Sequence, residues 1–392
     1  MHAPLTGLRV VELARILAGP WIGQTLADLG AEVIKVEAPE GDDTRRWGPP
    51  FVRTTAGTDG DAAYFHSCNR GKRSIVADFH TPKGRSIVRA LAARADVLIE
   101  NFKVGALQKY GLDYLSLRPS NARLIYCSVS GFGQDGPYAG RAGYDALIQG
   151  MSGIMDLTGA AEGEPQKIGV ALADICTGLY GVIAIQAALT QRERSGCGQQ
   201  LDMALLDTMV AVLANQALNY LISGIVPHRQ GNAHPNIVPY QVFQTADGPI
   251  ILAVGNDAQF ERLCGLLGRG ELARDERFAS NPARVAHRET LVAALSELLC
   301  RRRRAELLAA LESLGIPAGP INTLAESFAD PQIRHRALVS HIAAPWAERG
   351  SVPSVRTPIV FSGAQLQLSR PAPRLGEHTA QILAELGPLG DI

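Results

Sequence analysis

The sequence predicts an α/β fold built on a mostly parallel sheet covered by helices. Short β-rich runs alternate with helical patterns through the first two hundred residues, which is the pattern of strand–helix–strand units. A hydrophobic content of 46% and a charged content of 19% over 392 residues provide a full core and room for one large domain or two of ordinary size.

The first strand is expected over Leu8–Leu13, followed by a glycine-punctuated helix from Gly19 to Leu29. Glu32–Glu37 reads as the second strand and Arg73–Asp78 as the third. A helix begins near Thr81-Pro82-Lys83, because proline suits a first helical turn. Asp96–Glu100 and Leu124–Val129 continue the strands. Asp174 opens the strongest helical pattern, which stops at Gly196-Cys197-Gly198, and a strand-like piece at Gln200–Met203 precedes a long apolar helix, Leu205–Ile222.

The texture then changes. GIVPHRQGNAHPNIVPY is rich in Pro, Gly, Asn and His, and it leads into strands near Gln241 and Pro249, then charged helices over about Asp257–Leu267 and Glu289–Leu314. After Pro331 the chain is strand-like again and ends in a helix near Glu377. The expected division is a large domain from residues 1–222, a small α/β domain from 223–328, and a return to the large domain over 329–392.

Lys plus Arg number 38 and Asp plus Glu 38, so no net field draws the chain to nucleic acid or an acidic membrane, and a phosphate-bearing ligand needs a local basic patch. The six cysteines are scattered without CxxC spacing, which fits neither a metal site nor a disulfide framework. No signal peptide and no run of eighteen apolar residues is read, so a cytoplasmic protein without a membrane span is expected.

Motifs for other chemistries are missing. Leu17-Ala18-Gly19-Pro20 after the first strand is not G-x-G-x-x-G, and no P-loop, G-x-S-x-G or H-E-x-x-H occurs. Polar clusters instead fall at strand ends, where open α/β sheets bind ligands: Gly41–Gly48, Cys68–Ser74, Glu100–Gly111 and Ser130–Asp145. Arg70, Lys72 and Arg73, with Lys103 and Lys109, supply clustered charge suited to phosphates; any one of them alone reads more simply as solvated surface.

Asp174 lies between an apolar stretch and its helix. Position alone favours an N-cap over a catalytic role, although a carboxylate there is expected to stay ionised through the helix dipole, and Gly178 beside it leaves space for a bulky substrate.

The segments LRVVELARILAGP, LADLGAEVIKVE, NRGKRSI, ADVLIENF, GFGQDGPYAGRAGYD, ADICTGLYGVIAIQAAL and LGEHT together resemble the class III coenzyme-A transferases, the group that includes formyl-CoA transferase and the carnitine and bile-acid CoA-transferases; the likeness runs from Leu5 to about Leu386. The resemblance implies a Rossmann-like large domain with a smaller domain, in an obligate dimer whose subunits interlock. It places the family's nucleophilic aspartate on Asp174 and family contacts to CoA on Leu17, Ala18, Cys68, Asn69, Arg70, Gly71, Lys72, Asn101, Phe102, Lys103 and Lys109. Ala38 stands where formyl-CoA transferase has an arginine for CoA, so the phosphate contacts are partly rebuilt, and Asn232–Asn236 replaces that enzyme's glycine loop, which argues against oxalate.

The expected partners are an acyl-CoA and a dicarboxylic acid, with no permanently bound cofactor and no metal. GDDTRRWGPPF, GNAHPNIVPYQVF, GIPAGPIN and AGYDA are most similar to members that move CoA from succinyl-CoA to glutarate; itaconate or another short diacid is the alternative. Tyr144, Arg229, His234 and Asn236 are the candidates for the acid's far carboxylate. A related α-methylacyl-CoA racemase needs two opposed acid/base groups, and Tyr144 stands where racemases have His. A non-catalytic CoA-binding protein is the alternative from another class.

Overall fold

The computed structural model describes residues 2–366 and 370–388. The chain divides into two units: residues 1–154, 167–223 and 331–392 form the first, and residues 155–166 and 224–330 the second.

The first unit is organised by a six-stranded, wholly parallel sheet of β1 (Arg9–Glu12), β2 (Glu32–Glu37), β3 (Arg73–Val76), β4 (Val97–Glu100), β5 (Ile125–Ser130) and β6 (Gln200–Ala204). Their order across the sheet is β3-β2-β1-β4-β5-β6. This is the doubly wound order, and it places a topological switch between β1 and β4, where the chain leaves the sheet in opposite directions and opens a crevice beyond the strand ends. The central strands are apolar on both faces, so two cores form, one around Val10, Val97, Ile125 and Ile185 and the other around Val11, Leu98, Ile87 and Leu91.

On the first face lie α1 (Ala18–Asp28) and the 24-residue helix α4 (Leu172–Ser195); α2 (Pro82–Ala92), capped by the Thr81 side chain, covers the other face. The α1–α4 contact is made without side chains on one partner: a Cβ at Gly178 would sit 3.0 Å from Trp21 Cβ, and one at Gly181 would sit 2.5 Å from Ile22 Cδ1. Gly178 therefore serves helix packing, where the sequence suggested room for substrate. By length and apolarity α4 passes for a membrane span, but its buried face, including Thr177, Val182, Ile185 and Arg192, packs into this unit.

Two helices expected as continuous are broken. Leu205–Ile222 forms α5 (Leu205–Ala211) and α6 (Ala214–Ser223), which meet at a 74° bend where Ala214 takes φ 49°. Glu289–Leu314 forms Arg288–Leu299 and Arg304–Ser313, because Asp247 from a distant turn accepts the Arg304 amide at 2.6 Å and starts a new helix there.

The second unit carries a three-stranded antiparallel sheet, Tyr240–Thr245, Gly248–Ala253 and Ala318–Pro320, over a core including Phe243, Leu252, Phe260 and Leu295. Residues 155–166, read from sequence as part of the large domain, group with this unit. Arg229 donates to the Asp156 carboxylate at 2.7 Å, and Gly231 N–H to Gly159 O at 3.1 Å.

Candidate active site

At the switch point a cavity of about 400 Å³ opens in the first unit between the segment after β1 and the segment after β4. Its wall includes Leu17, Ala18, Asn101, Phe102, Lys103, Tyr144 and Asp174, so residues far apart in sequence and all proposed from it are brought together.

The wall after β1 is held in an unfavourable conformation. Ile16 has φ 72°, a left-handed value that strains a β-branched residue, and the surroundings enforce it. Asn101 accepts from Arg15 N at 2.9 Å and donates to Arg15 O at 2.7 Å, while the Asp42 carboxylate accepts Ile16 N–H at 3.2 Å. Lys35, fully buried, bridges Glu12 at 3.1 Å and Asp42 at 2.9 Å and donates to Ala14 O. Burial opposes the charge on Lys35, but Asp42, Glu12 and Glu37 outweigh it and raise its pKa. Burial likewise opposes ionisation of Asp42, yet Lys35 and the Thr44 amide lower it to about 2. The ion network is thus a foundation beneath the cavity wall.

That foundation also absorbs part of the basic cluster expected to meet phosphates. Lys72 is fully buried, 2.9 Å from Glu12, and donates to Asn69 Oδ1 at 2.8 Å and Pro20 O. Arg70 is buried against Asp28, and Arg73 pairs with Glu32 and Glu385. Cys68 and Asn69 are buried as well; the Cys68 thiol points to Ile16 O at 3.5 Å, and burial pushes its pKa up to about 12. Gly71 donates its N–H to Arg370 O. None of residues 68–72 lines the cavity. The sequence shows charge but not the distant carboxylates that bury it. Lys103 does face the cavity, whereas Lys109 is exposed over the Tyr110 ring and outside the cavity wall.

Asp174 is the third residue of α4, inside the first turn and not at the N-cap, which is Ala171. Capping comes from Asp145, at the start of α3 (Asp145–Met151), whose Oδ1 accepts Ala173 N–H at 2.8 Å. The fully buried Gln149, one turn along α3, donates to the other Asp145 oxygen at 2.8 Å, and its Oε1 accepts Ile168 N–H at 2.9 Å. Two side chains of one helix therefore clamp the strand of backbone that leads into Asp174.

The Asp174 carboxylate has no hydrogen-bond or ion-pair partner among the described residues. Burial, and then the charge of Asp145, push its pKa up to about 7, against the ionised state that the helix dipole favours. Tyr64, packed edge-on against Trp47 at 5.4 Å, is pushed up to about 12 by burial and by the charge of Asp174, so it remains a phenol. Arg141 and Asp145 fall in the Ser130–Asp145 cluster but were not singled out from it, and Tyr64 and Gln149 went unread; the i, i+4 spacing of Asp145 and Gln149 was the available signal.

Arg229, His234 and Asn236 lie in the second unit. Arg229 is engaged by Asp156, so its charge is already matched. His234 stacks on Tyr240 at 5.1 Å, its Nδ1 accepts Asn236 N–H at 3.1 Å, and burial followed by Arg288 lowers its pKa. No group of His, Cys, Asp and Glu suited to a metal occurs among the described residues.

A doubly wound sheet whose switch-point cleft holds an unpaired carboxylate at a helix start has the parts that covalent acyl chemistry requires. Residues 5–379 match CoA-transferase family III, and the chain belongs to that family; it is a CoA-transferase. It is 60% identical to the succinate–glutarate CoA-transferase of Agrobacterium fabrum over 98% of this chain and 96% of that one. It is 43% identical to the human succinyl-CoA:glutarate CoA-transferase over 98% of this chain and 86% of that protein. The crystal structure of a CaiB/BaiF family protein from Brucella suis is 62% identical and covers 99% of this chain and 100% of that one with a TM-score of 0.87.

Proposed function

We propose that this enzyme moves CoA from succinyl-CoA to glutarate through a covalent intermediate on Asp174. The unpartnered, half-buried carboxylate in the switch-point cleft carries this reading, and the names of the similar transferases support the substrates.

In the ionised form an Asp174 oxygen attacks the thioester carbonyl carbon, and the CoA thiolate leaves with the electron pair, giving a succinyl–aspartyl anhydride. The thiolate then attacks the aspartyl carbonyl, releasing succinate and leaving an aspartyl-CoA thioester. A glutarate oxygen attacks that thioester, the thiolate leaves again, and its return to the glutaryl carbonyl frees glutaryl-CoA and restores Asp174. Thioester energy is kept throughout, so no ATP is needed. The developing oxyanions need donors, and most first-turn amides of α4 are taken: Leu172 N–H by Val170 O, Ala173 N–H by Asp145, Ile175 N–H by Ala171 O. The amides of Asp174 and Ala18, both on the cleft wall, have no acceptor among the described residues, which makes them the donors of choice.

We also propose a homodimer. The outer faces of α4 and α6 expose Leu179, Ile183, Leu218, Leu221 and Ile222, the last at 81%, and a second copy of the chain suits such apolar faces. Sedimentation that returns a monomer at micromolar concentration contradicts this.

The substrate assignment is tested by pairing succinyl-CoA with glutarate, itaconate, mesaconate and malate. The assignment predicts that glutarate has the highest kcat/KM; a tenfold preference for another acid overturns it while leaving the transferase chemistry intact.

A further inference from the structure

We propose that the Thr177 hydroxyl is a catalytic hydrogen-bond donor to the Asp174 side-chain carbonyl while that carbonyl is itself under attack. This rests on the transferase reading above and adds a residue to its chemistry. Two of the four steps attack an acyl carbonyl in the cleft, which the Asp174 and Ala18 amides serve. In the other two the carbon under attack is Cγ of Asp174: the CoA thiolate opens the anhydride there, and glutarate opens the thioester there. Each time the C=O electron pair moves onto the free Asp174 oxygen before the leaving group departs. That oxyanion needs a donor of its own.

Among the described residues a single hydroxyl is buried without any partner, that of Thr177, and it lies one helical turn beyond Asp174. Thr177 is fully buried, and the neighbouring Gly178 lies so close to α1 that an added Cβ would sit 3.1 Å from Ala18 O. Side chains on an α-helix lean toward its N-terminus, so Thr177 covers the turn that holds Asp174, at i−3, and Ala173, at i−4. A helical threonine ordinarily gives its hydroxyl to the i−4 carbonyl, and here that bond to Ala173 O is not made. The hydroxyl is thus left in reserve, and rotation about χ1 turns it toward the Asp174 carboxyl. Asp174 has no partner either, so two unpaired polar groups share one turn of α4. Asp174 lines the cleft and Thr177 does not, so the hydroxyl approaches the aspartyl group from behind and leaves the incoming acyl group to the backbone amides.

The test uses the full-length enzyme with Thr177→Val, which keeps the shape and removes the hydroxyl, and Thr177→Ser, which keeps the hydroxyl. Thr177→Val is expected to lower kcat about 100-fold, the effect of losing one oxyanion donor, with no rise in KM for succinyl-CoA or for the acceptor acid. Thr177→Ser is expected to stay within about threefold of the parent enzyme, because the donor remains. The loss has a signature in the reaction with succinyl-CoA alone. There the parent enzyme accumulates CoA bound covalently to Asp174. Thr177→Val forms the anhydride and frees CoA but stalls at that point, so intact-protein mass spectrometry shows little CoA adduct while chromatography shows free CoA and succinate, the latter from hydrolysis of the anhydride. A Thr177→Val enzyme with the parent kcat and the parent adduct, or a Thr177→Ser enzyme that loses as much as Thr177→Val, overturns the assignment. A parent enzyme that forms no adduct and transfers no CoA overturns the transferase reading instead.

Discussion

Asp145 Oδ1 accepts the backbone N–H of Ala173 at 2.8 Å, one residue ahead of Asp174. This single bond joins two roles. It caps the helix that carries Asp174, and it brings a second negative charge close enough to hold the Asp174 carboxyl near neutrality, on top of the effect of burial.

The first prediction concerns pH. Only ionised Asp174 attacks a thioester, so kcat/KM is expected to rise with pH with a midpoint near 7, where burial and Asp145 have moved it. Asp145→Asn retains an oxygen for the Ala173 amide but removes the charge, so the midpoint is expected to move to lower pH by about one unit. An Asp145→Asn profile superimposable on that of the parent contradicts the electrostatic part of this account.

The second concerns stability. The folded pKa of Asp174 is raised above the ordinary 3.8, so the folded state binds the proton more tightly. The stability that proton provides is full below pH 4 and is lost as the pH rises through 7. Asp174→Asn is therefore expected to stabilise the protein at pH 8, on the order of 2 kcal/mol after allowing for solvent at the cleft, and to change little at pH 4. Urea unfolding at the two pH values measures this; equal differences at both oppose it.

Lys72 provides the third. Its ammonium group is sealed against Glu12, so Lys72→Met leaves Glu12 with Lys35 alone in a buried site. A loss of roughly 3 kcal/mol in unfolding free energy is expected, with KM for succinyl-CoA within about threefold of the parent value. A large rise in KM without loss of stability would return Lys72 to the phosphate site.

These cases show what could be read from the residues. All six strands of the parallel sheet follow from local runs: β1, β4 and β5 read as apolar stretches because they are buried on both faces, while the edge strand β6 alternates exposed and part-buried residues. Short paired strands such as Phe51–Arg53 with Asp59–Ala62 went unread, because three or four residues carry no periodic signal. Asp174 was placed at the start of its helix, but as the cap: the capping group is Asp145, 28 positions before the Ala173 amide that it accepts. The same long reach hid Glu12 from Lys72 and Asp28 from Arg70, so local charge density suggested an open phosphate site where the fold makes buried pairs.

A fourth prediction concerns the strained wall. Asp42 fixes both Ile16 N–H and Lys35, so Asp42→Ala is expected to cost about 3–5 kcal/mol of stability by leaving Lys35 less compensated. In the fraction that folds, KM for the acyl-CoA is expected to rise, because Leu17 and Ala18 follow Ile16 directly into the cleft. Unchanged stability contradicts the role given to the network.

The most direct measurement is peptide mass spectrometry after incubation with succinyl-CoA and hydroxylamine. The account predicts that Asp174 alone is converted to its hydroxamate as activity disappears, and that folded Asp174→Asn loses CoA exchange about a thousandfold or more while acquiring no such adduct. Normal exchange by Asp174→Asn, or an adduct on a different side chain, contradicts it.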